Sequence, residues 1–402
     1  MSRAAARPGY RKLLIALFCA GIATFAQLYA PQSVLPIIAR SAQVSPDTAA
    51  LCISVATGAL ALGVLPWAVV AARIGRARTI SIAIAGSALI GCAIPFAPTF
   101  ALFLTGRAIE GFLLAAVPAV AVAYLAEQVD AADTAPAAGV YVAGTTVGGL
   151  LGRVVSGPLS ELFGWRTALL VVALGGLTAA VLFITLAPRR TPSTNERSMQ
   201  GFLSRLARTY LSGPLLLMYL QPFLLMGVFV ALYNYLGFRL EAAPFAFSAT
   251  AVSLLYFTYL AGTFAAARAG SLVQRLGFKR ATMLSQAAMF VGLALTLSSN
   301  ASVIIAGLVL HTAGFFAAHA ALTSWTPLVA RGLAAEASAG YSLAYYLGSS
   351  LIGWAAGLLL AQLGWQLTIA ALMLIVVVAA VLTFSSREPA AGPGRNASGP
   401  RS

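Results

Sequence analysis

The sequence predicts an all-α polytopic membrane protein of twelve transmembrane helices in two six-helix, pseudo-symmetric bundles. Three observations lead there. The chain of 402 residues is 60% hydrophobic and only 9% charged, with a mean hydropathy of +0.90, whereas a soluble domain carries roughly 25% charged residues. Its apolar residues fall in long runs rather than at the period of two that a membrane barrel requires. The two halves also echo each other at a fixed spacing.

The apolar runs span residues 13–39, 48–72, 79–97, 100–126, 138–162 and 166–187, then 212–237, 247–269, 281–299, 302–329, 338–362 and 365–385. Each approaches or exceeds the ~20 residues that carry a helix across about 30 Å of hydrocarbon. The first run is too long for the core of a cleaved signal and reads as a signal anchor that stays in the protein. The 37 glycines and 19 prolines suit closely packed, kinked membrane helices.

A net charge of +15 would suggest nucleic acid in a soluble protein. Here its placement sets topology, and no nucleic-acid partner is expected. Arg3, Arg7, Arg11 and Lys12 precede the first run, and Arg73, Arg76 and Arg78 follow the second. Arg189, Arg190, Arg197, Arg205 and Arg208 fall in the central connection, and Arg268, Arg275, Lys279 and Arg280 lie around the loop after the eighth run. Arg331 follows the tenth run, and Arg387, Arg395 and Arg401 end the chain. Twenty of the 25 basic residues thus share one side, against Arg40, Arg166 and Arg239 on the other. The positive-inside rule makes the first side, with both termini, cytoplasmic. The location expected is a bacterial cytoplasmic (inner) membrane, with lipid as the surrounding partner.

The only long polar connection, residues 188–210, divides the chain into an N-terminal bundle (1–187) and a C-terminal bundle (211–385), followed by a cytoplasmic tail (386–402). The loop Arg73-Ile-Gly75-Arg76-Ala-Arg78 is echoed by Gln274-Arg275-Leu-Gly277-Phe-Lys279-Arg280, with the glycines 202 positions apart. Phe163-Gly164-Trp165-Arg166 is echoed by Leu363-Gly364-Trp365-Gln366, 200 positions apart. Two matches near one register imply parallel repeats about an axis along the membrane normal, with a binding site between them near the midplane.

Three charges fall inside spans: Arg107 and Glu110 in the fourth, and Arg153 in the fifth. Counted at ~1.5 Å per residue, Arg107 lies about 10 Å, Glu110 about 15 Å and Arg153 about 13 Å from the outer end. A charge at the bilayer centre costs roughly 2.5–3.5 kcal/mol even on the lenient insertion scale, so such residues mark function by default. Arg107 and Glu110 are three apart and share a helix face. Burial and a nearby arginine act on a carboxyl in opposite senses, so Glu110 is the candidate proton carrier. Arg107 is its partner or a substrate contact, and Arg153 balances or competes for it. A static ion pair that fixes the packing is the alternative. The surplus positive charge of this layer either welcomes an anionic substrate or keeps Glu110 ionised. His311, 204 positions after Arg107, is the counterpart of this layer in the second half and can titrate near neutrality, although a histidine bonded within the bundle is the plainer reading. His319 carries less weight.

Polar and aromatic residues of the central spans complete a candidate substrate cavity: Gln27, Tyr29, Gln32, Gln221, Asn234, Tyr256 and Tyr345. Such walls suit a mostly apolar ligand held by few hydrogen bonds. Glu161, Glu241 and Asp47, at the outer surface, and Glu127, Asp130 and Asp133, in a cytoplasmic loop, read as solvated. Cys19, Cys52 and Cys92 have no metal-ligand spacing and read as packing residues. No cofactor or metal is expected, and no nucleophile–base pair suggests an enzyme.

The motifs carry a resemblance over residues 11–385. The Gly75 and Gly277 loops resemble motif A of the major facilitator superfamily, Arg107-Ala-Ile-Glu110-Gly111 resembles motif B of its drug:proton antiporters, and Gly148-Gly149-Leu-Leu-Gly152-Arg153-Val-Val-Ser156-Gly157-Pro158 resembles their motif C. Phe223-Leu-Leu-Met-Gly227, Asn234-Tyr235-Leu-Gly237, Ala313-Gly314-Phe-Phe-Ala-Ala-His319 and Tyr345-Tyr346-Leu-Gly348-Ser-Ser350 are similar to segments of YnfM-type inner-membrane transporters. The resemblance implies a monomeric transporter that exports small organic molecules in exchange for protons by alternating access. It gives a gating role to Arg73, Gly75, Arg76, Arg78, Gln274, Arg275 and Gly277. Ala72 and Gln274 stand where motif A carries an acid, which removes its ionic latch, and Arg153 replaces the proline common in motif C. Two rivals remain open: a transporter of an organic anion held by Arg107 and Arg153, and a non-transporting membrane sensor.

Overall fold

The computed structural model describes residues 8–188, 199–330, 332–386 and 388. Among the basic residues assigned above to one side, Arg3, Arg7, Arg189, Arg190, Arg197, Arg331, Arg387, Arg395 and Arg401 lie outside the described residues. So does most of the C-terminal tail. Among the described residues, ten helices are long and apolar enough to cross a membrane. The last of them, Ala334–Ser385, breaks at Gly364 into two (334–363 and 365–385), and Phe278–Leu295 packs beside them as the twelfth.

The twelve are labelled in chain order. Helix α1 is built of Pro8–Tyr29, a 3-10 segment Ala30–Val34 and Leu35–Ala42. Next come α2 (Pro46–Ile74), α3 (Arg76–Ala93), α4 (Phe100–Leu114 continuing as Ala116–Gln128), α5 (Ala131–Phe163) and α6 (Trp165–Leu186). The second half has α7 (Gly213–Glu241), α8 (Ala249–Leu254, a 3-10 turn Leu255–Thr258, then Tyr259–Leu276), α9 (Phe278–Leu295), α10 (Ala301–Val329), α11 (334–363) and α12 (365–385). A linker helix, Met199–Tyr210, joins the halves.

Local chemistry sets the ends. Thr99 and Asn300 accept hydrogen bonds from the first free amides of α4 and α10, and Ser248 does the same for α8; these side chains supply partners that helix N-termini otherwise lack. Four of the tight reversals, α2–α3, α5–α6, α8–α9 and α11–α12, each turn on one glycine with positive φ: Gly75 at 89°, Gly164 at 82°, Gly277 at 82° and Gly364 at 74°. A Cβ disfavours that region, so the repeated glycines of both motifs are conformational requirements.

Within the N-terminal bundle, α5 lies along α1. Gly144, Gly148 and Gly152, one per turn, bring the α5 backbone against Phe18, Ile22 and Ala26, the small-residue stripe that lets membrane helices approach. The glycine-rich motif of α5 is therefore a packing surface for α1. The second half repeats the arrangement with Gly348 of α11 against the Phe223 backbone of α7.

The halves meet at the end opposite the basic loops. There α2 packs on α11, with the Ser350 hydroxyl donating to the Ser54 carbonyl at 2.7 Å and Gly357 set against Asp47. The start of α8 packs on α5, where Gly157 meets Ser253 and Ala249. Glu161 accepts from the Thr250 amide (3.1 Å) and hydroxyl (2.5 Å) at the N-terminus of α8, and Arg40 pairs with Glu241 at 2.8 Å. Glu161 and Glu241, read from sequence as merely solvated, instead tie one half to the other. At the basic end, Arg76 stays within its own bundle. It donates to the Ala123 carbonyl and pairs with Glu127, both at 2.7 Å, so Glu127 is also more than a solvated charge.

A cysteine pair placed at Ser54 and Ser350, in a chain whose three native cysteines are replaced, is expected to cross-link readily under oxidation. It should arrest transport until the bond is reduced. Transport unaffected by the cross-link would show that this contact does not open during turnover.

Candidate functional site

The site begins with a break in α1. Pro31 has no N–H to return to the Gln27 carbonyl four residues back, and the helix tightens to 3-10 form over Ala30–Val34. The freed carbonyls are taken by Arg107 of α4. Its Nη1 donates to Gln27 O at 3.1 Å, its Nη2 to Leu28 O at 2.6 Å and its Nε to Cys52 O of α2 at 3.0 Å. Nη1 also pairs with Glu110 Oε2 at 2.5 Å. Both side chains are almost wholly buried, with 2% of each residue exposed. One guanidinium, with its five donors, thus ties together α1, α2 and α4.

Glu110 faces the interior of the N-terminal bundle. A small cavity there is bordered by Gln27 and Pro31 of α1, Gly91 of α3 and Ala173 of α6. Gln27, expected at the substrate cavity, points into this space: its amide donates to Ala23 O at 2.6 Å.

Arg153 does not share Glu110. It stands on a different face of α1, where its Nε donates to Gln32 Oε1 at 2.7 Å and its Nη1 to Gly149 O at 2.8 Å. Its guanidinium lies 4.2 Å from the ring centre of Tyr29, 4.9 Å from Tyr259 and 5.2 Å from Tyr256. Two of these rings belong to the other half, so cation–π attraction works across the interface. Gln32 in turn donates to Asn234 Oδ1 at 2.7 Å. Gln32 and Asn234 are 202 positions apart, the spacing of the loop glycines, and Arg40 and Glu241 are 201 apart. Both pairs join α1 to α7 across the boundary between the halves.

The expected layer of three charges and a histidine is thus three separate sites. His311 lies in the C-terminal bundle, its Nδ1–H donating to Met289 O at 3.1 Å and its ring stacked on Phe229. Gln221 also leaves the predicted cavity: it joins Thr383 at 2.7 Å, which in turn binds Gln286, in a polar cluster of α7, α9 and α12. Tyr29, Gln32, Asn234 and Tyr256 gather around Arg153. Tyr345 stands beside His319, with ring centres 4.8 Å apart, and His319 Nδ1 meets the Tyr341 hydroxyl at 2.8 Å. Tyr259 and His319 are the participants that sequence reasoning underweighted; their spacing along α8 and α10 relative to Tyr256 and His311 was the available signal. Of the gating residues, Arg73, Arg78, Gln274 and Arg275 are exposed and Arg76 is half-buried.

Replacing Arg107 by Leu strands a buried carboxylate and is expected to cost about 3–5 kcal/mol, whereas Glu110→Gln leaves the guanidinium its three carbonyl acceptors and should cost distinctly less. Thermal unfolding of the two variants in detergent checks the order. An Arg107→Leu protein as stable as Glu110→Gln would contradict it.

The comparisons with known proteins agree with this architecture. Residues 13–267 match the Major Facilitator Superfamily. The chain is 34% identical over 375 residues to the inner membrane transport protein YnfM of Escherichia coli, covering 92% of this chain and 89% of that one. It is 31% identical over 373 residues to the MFS-type transporter YybF of Bacillus subtilis, covering 92% of each. Among solved structures, the nucleoside transporter NupG superposes with a TM-score of 0.79 at 15% identity, over 94% of this chain and all (100%) of that one. A bacterial homologue of the human lysosomal transporter Spinster, in an inward-facing, unoccupied conformation, superposes with a TM-score of 0.77 at 15% identity, over 95% of this chain and 97% of that one. At such identities the structures speak for the fold alone. The glycine hinges, the paired bundles and these relatives together place the chain in the Major Facilitator Superfamily, as a multi-pass membrane transporter and not an enzyme.

Proposed function

We propose that the protein is a proton-coupled exporter of small, largely apolar organic compounds, working by alternating access as a monomer in the bacterial inner membrane. The distribution of basic residues supports a cytoplasmic basic end with both termini inside. The halves joined at the opposite end then correspond to a state open to the cytoplasm.

The observation that carries the coupling is the Arg107–Glu110 pair at the α1 break. Arg107 holds the Gln27 and Leu28 carbonyls, and four residues beyond Leu28, Gln32 makes the hydrogen bond to the other half. Protonating Glu110 replaces the ion pair by a weaker hydrogen bond from the guanidinium to a neutral carboxyl and loosens the grip of Arg107 on α1. The three carbonyls remain as acceptors, so the guanidinium is never stranded. A change in one carboxyl thereby reaches the contact that must part when the halves rock. His311, enclosed in the other bundle, has no place on this route.

The substrate seat in this reading is the aromatic region around Tyr29, Tyr256, Tyr345 and His319, with Gln32 and Asn234 as its polar points. At the basic end, Arg73, Gly75, Arg76, Arg78, Gln274, Arg275 and Gly277 form the closing loops. With Ala72 and Gln274 in place of acids, closure there relies on hydrogen bonds and packing.

In inverted vesicles, added substrate is expected to collapse an imposed pH gradient. Glu110→Gln should abolish that response and leave binding largely intact. A Glu110→Gln protein that exports against a gradient like the unaltered one would refute the assignment. One feature favours a second reading. Among the described residues the charge of Arg153 is balanced by amide, carbonyl and aromatic groups and not by an acid, which would suit an anionic substrate. If Arg153→Ala removes anions alone from the substrate range, that reading is preferred; loss of all substrates equally counts against it.

A further inference from the structure

Gln27 is wedged into the N-terminal bundle between two glycines. A Cβ on Gly176 of α6 would stand 2.6 Å from its Nε2, and a Cβ on Gly91 of α3 would stand 2.7 Å from its Oε1. The same point above Gly91 lies 2.9 Å from Glu110 Oε1. The amide orientation is settled by chemistry, because Nε2 donates to the Ala23 carbonyl at 2.6 Å and the oxygen must point the other way. Gln27 Oε1 is buried and has no hydrogen-bond partner among the described residues. An orphan acceptor in a membrane interior is costly. It faces a carboxyl oxygen across a cavity of about 20 Å³ bordered by both residues, room for a single water.

Two acceptors that face each other are reconciled only by a hydrogen placed between them. We propose that Gln27 Oε1 is the acceptor for the proton carried by Glu110, through one water seated above Gly91, so that Gln27, Gly91 and Glu110 form a proton seat. With Glu110 ionised, the water donates one hydrogen to each oxygen. When a proton arrives, an O–H bond forms at Glu110 Oε1 and one breaks in the hydrated proton that delivered it. The neutral carboxyl then donates to the water, and the water still donates to Gln27. Gly91 is required because any side chain fills the seat. Gln27 is a positioning residue, and the inference rests on the reading of Glu110 as the proton carrier.

Infrared titration of the full-length protein in lipid nanodiscs tests it, following the C=O stretch of the neutral carboxyl that disappears in Glu110→Gln. Gln27→Leu, which releases the water, and Gly91→Ala, which displaces it, are each expected to shift that band to higher frequency, as for a carboxylic acid whose O–H has lost its water acceptor. The same band in both variants as in the unaltered protein would overturn the seat, with the coupling role of Glu110 intact. A shift in Gly91→Ala alone would overturn the assignment of Gln27. Persistence of the whole neutral-carboxyl signal in Glu110→Gln would instead overturn the reading of Glu110. Because Gly91→Ala alters neither polar residue, it keeps the test decisive if Gln27→Leu does not fold.

Discussion

The structure of the N-terminal bundle depends on one guanidinium satisfying carbonyls that a proline has set free. Pro31 leaves the Gln27 carbonyl without its helical donor, and in a membrane each freed carbonyl must find a donor inside the protein. Arg107 supplies donors to two carbonyls of α1 and one of α2, and Glu110 neutralises the charge this brings indoors. Burying either charge without partners is costly. Together they convert a weak point of α1 into a joint between three helices.

From that joint the polar contacts continue to the boundary between the halves. Gln32 joins Arg153 to Asn234, and the tyrosines of α8 cover the Arg153 charge. Magnitudes explain why such a boundary can open. The Arg40–Glu241 pair has an arginine side chain 64% exposed, and exposed pairs contribute only about 0–1 kcal/mol. A neutral hydrogen bond such as Gln32–Asn234 adds roughly 0.5–1.5 kcal/mol. In the proposed cycle, closure at this end is a sum of small terms that a modest change in the hold of Arg107 on α1 can offset, whereas α5 and α1 are held by close glycine-mediated backbone packing.

Much of this was legible in the sequence. The twelve spans follow from run length, and the glycines 75, 164, 277 and 364 revealed both the repeat and its register. The burial of Arg107, Glu110 and Arg153 inside helices also followed from their place within the apolar runs. Counting along a helix, however, gives depth and not direction around the axis. For that reason Arg107 and Arg153 read as rivals for one carboxylate, although they stand on different faces of α1, and Gln221 read as a cavity residue although it bonds Thr383 inside its own bundle. Gln27 is a cavity candidate by its polarity, but its neighbours are contributed by α3, α4 and α6, and no local pattern announces them. The contacts Gln32–Asn234 and Arg40–Glu241 between α1 and α7 likewise depend on direction around each axis, which residue counting does not give.

The central claim is that the protonation state of Glu110 sets how firmly Arg107 holds α1 and so biases which end of the protein is open. Distances between spin labels on α2 and α11 at the end opposite the basic loops, recorded across a pH series without substrate, test it most directly. The unaltered protein is expected to shift population between short and long distances as pH falls, and Glu110→Gln to show one pH-independent distribution. An identical pH response in both proteins would contradict the claim.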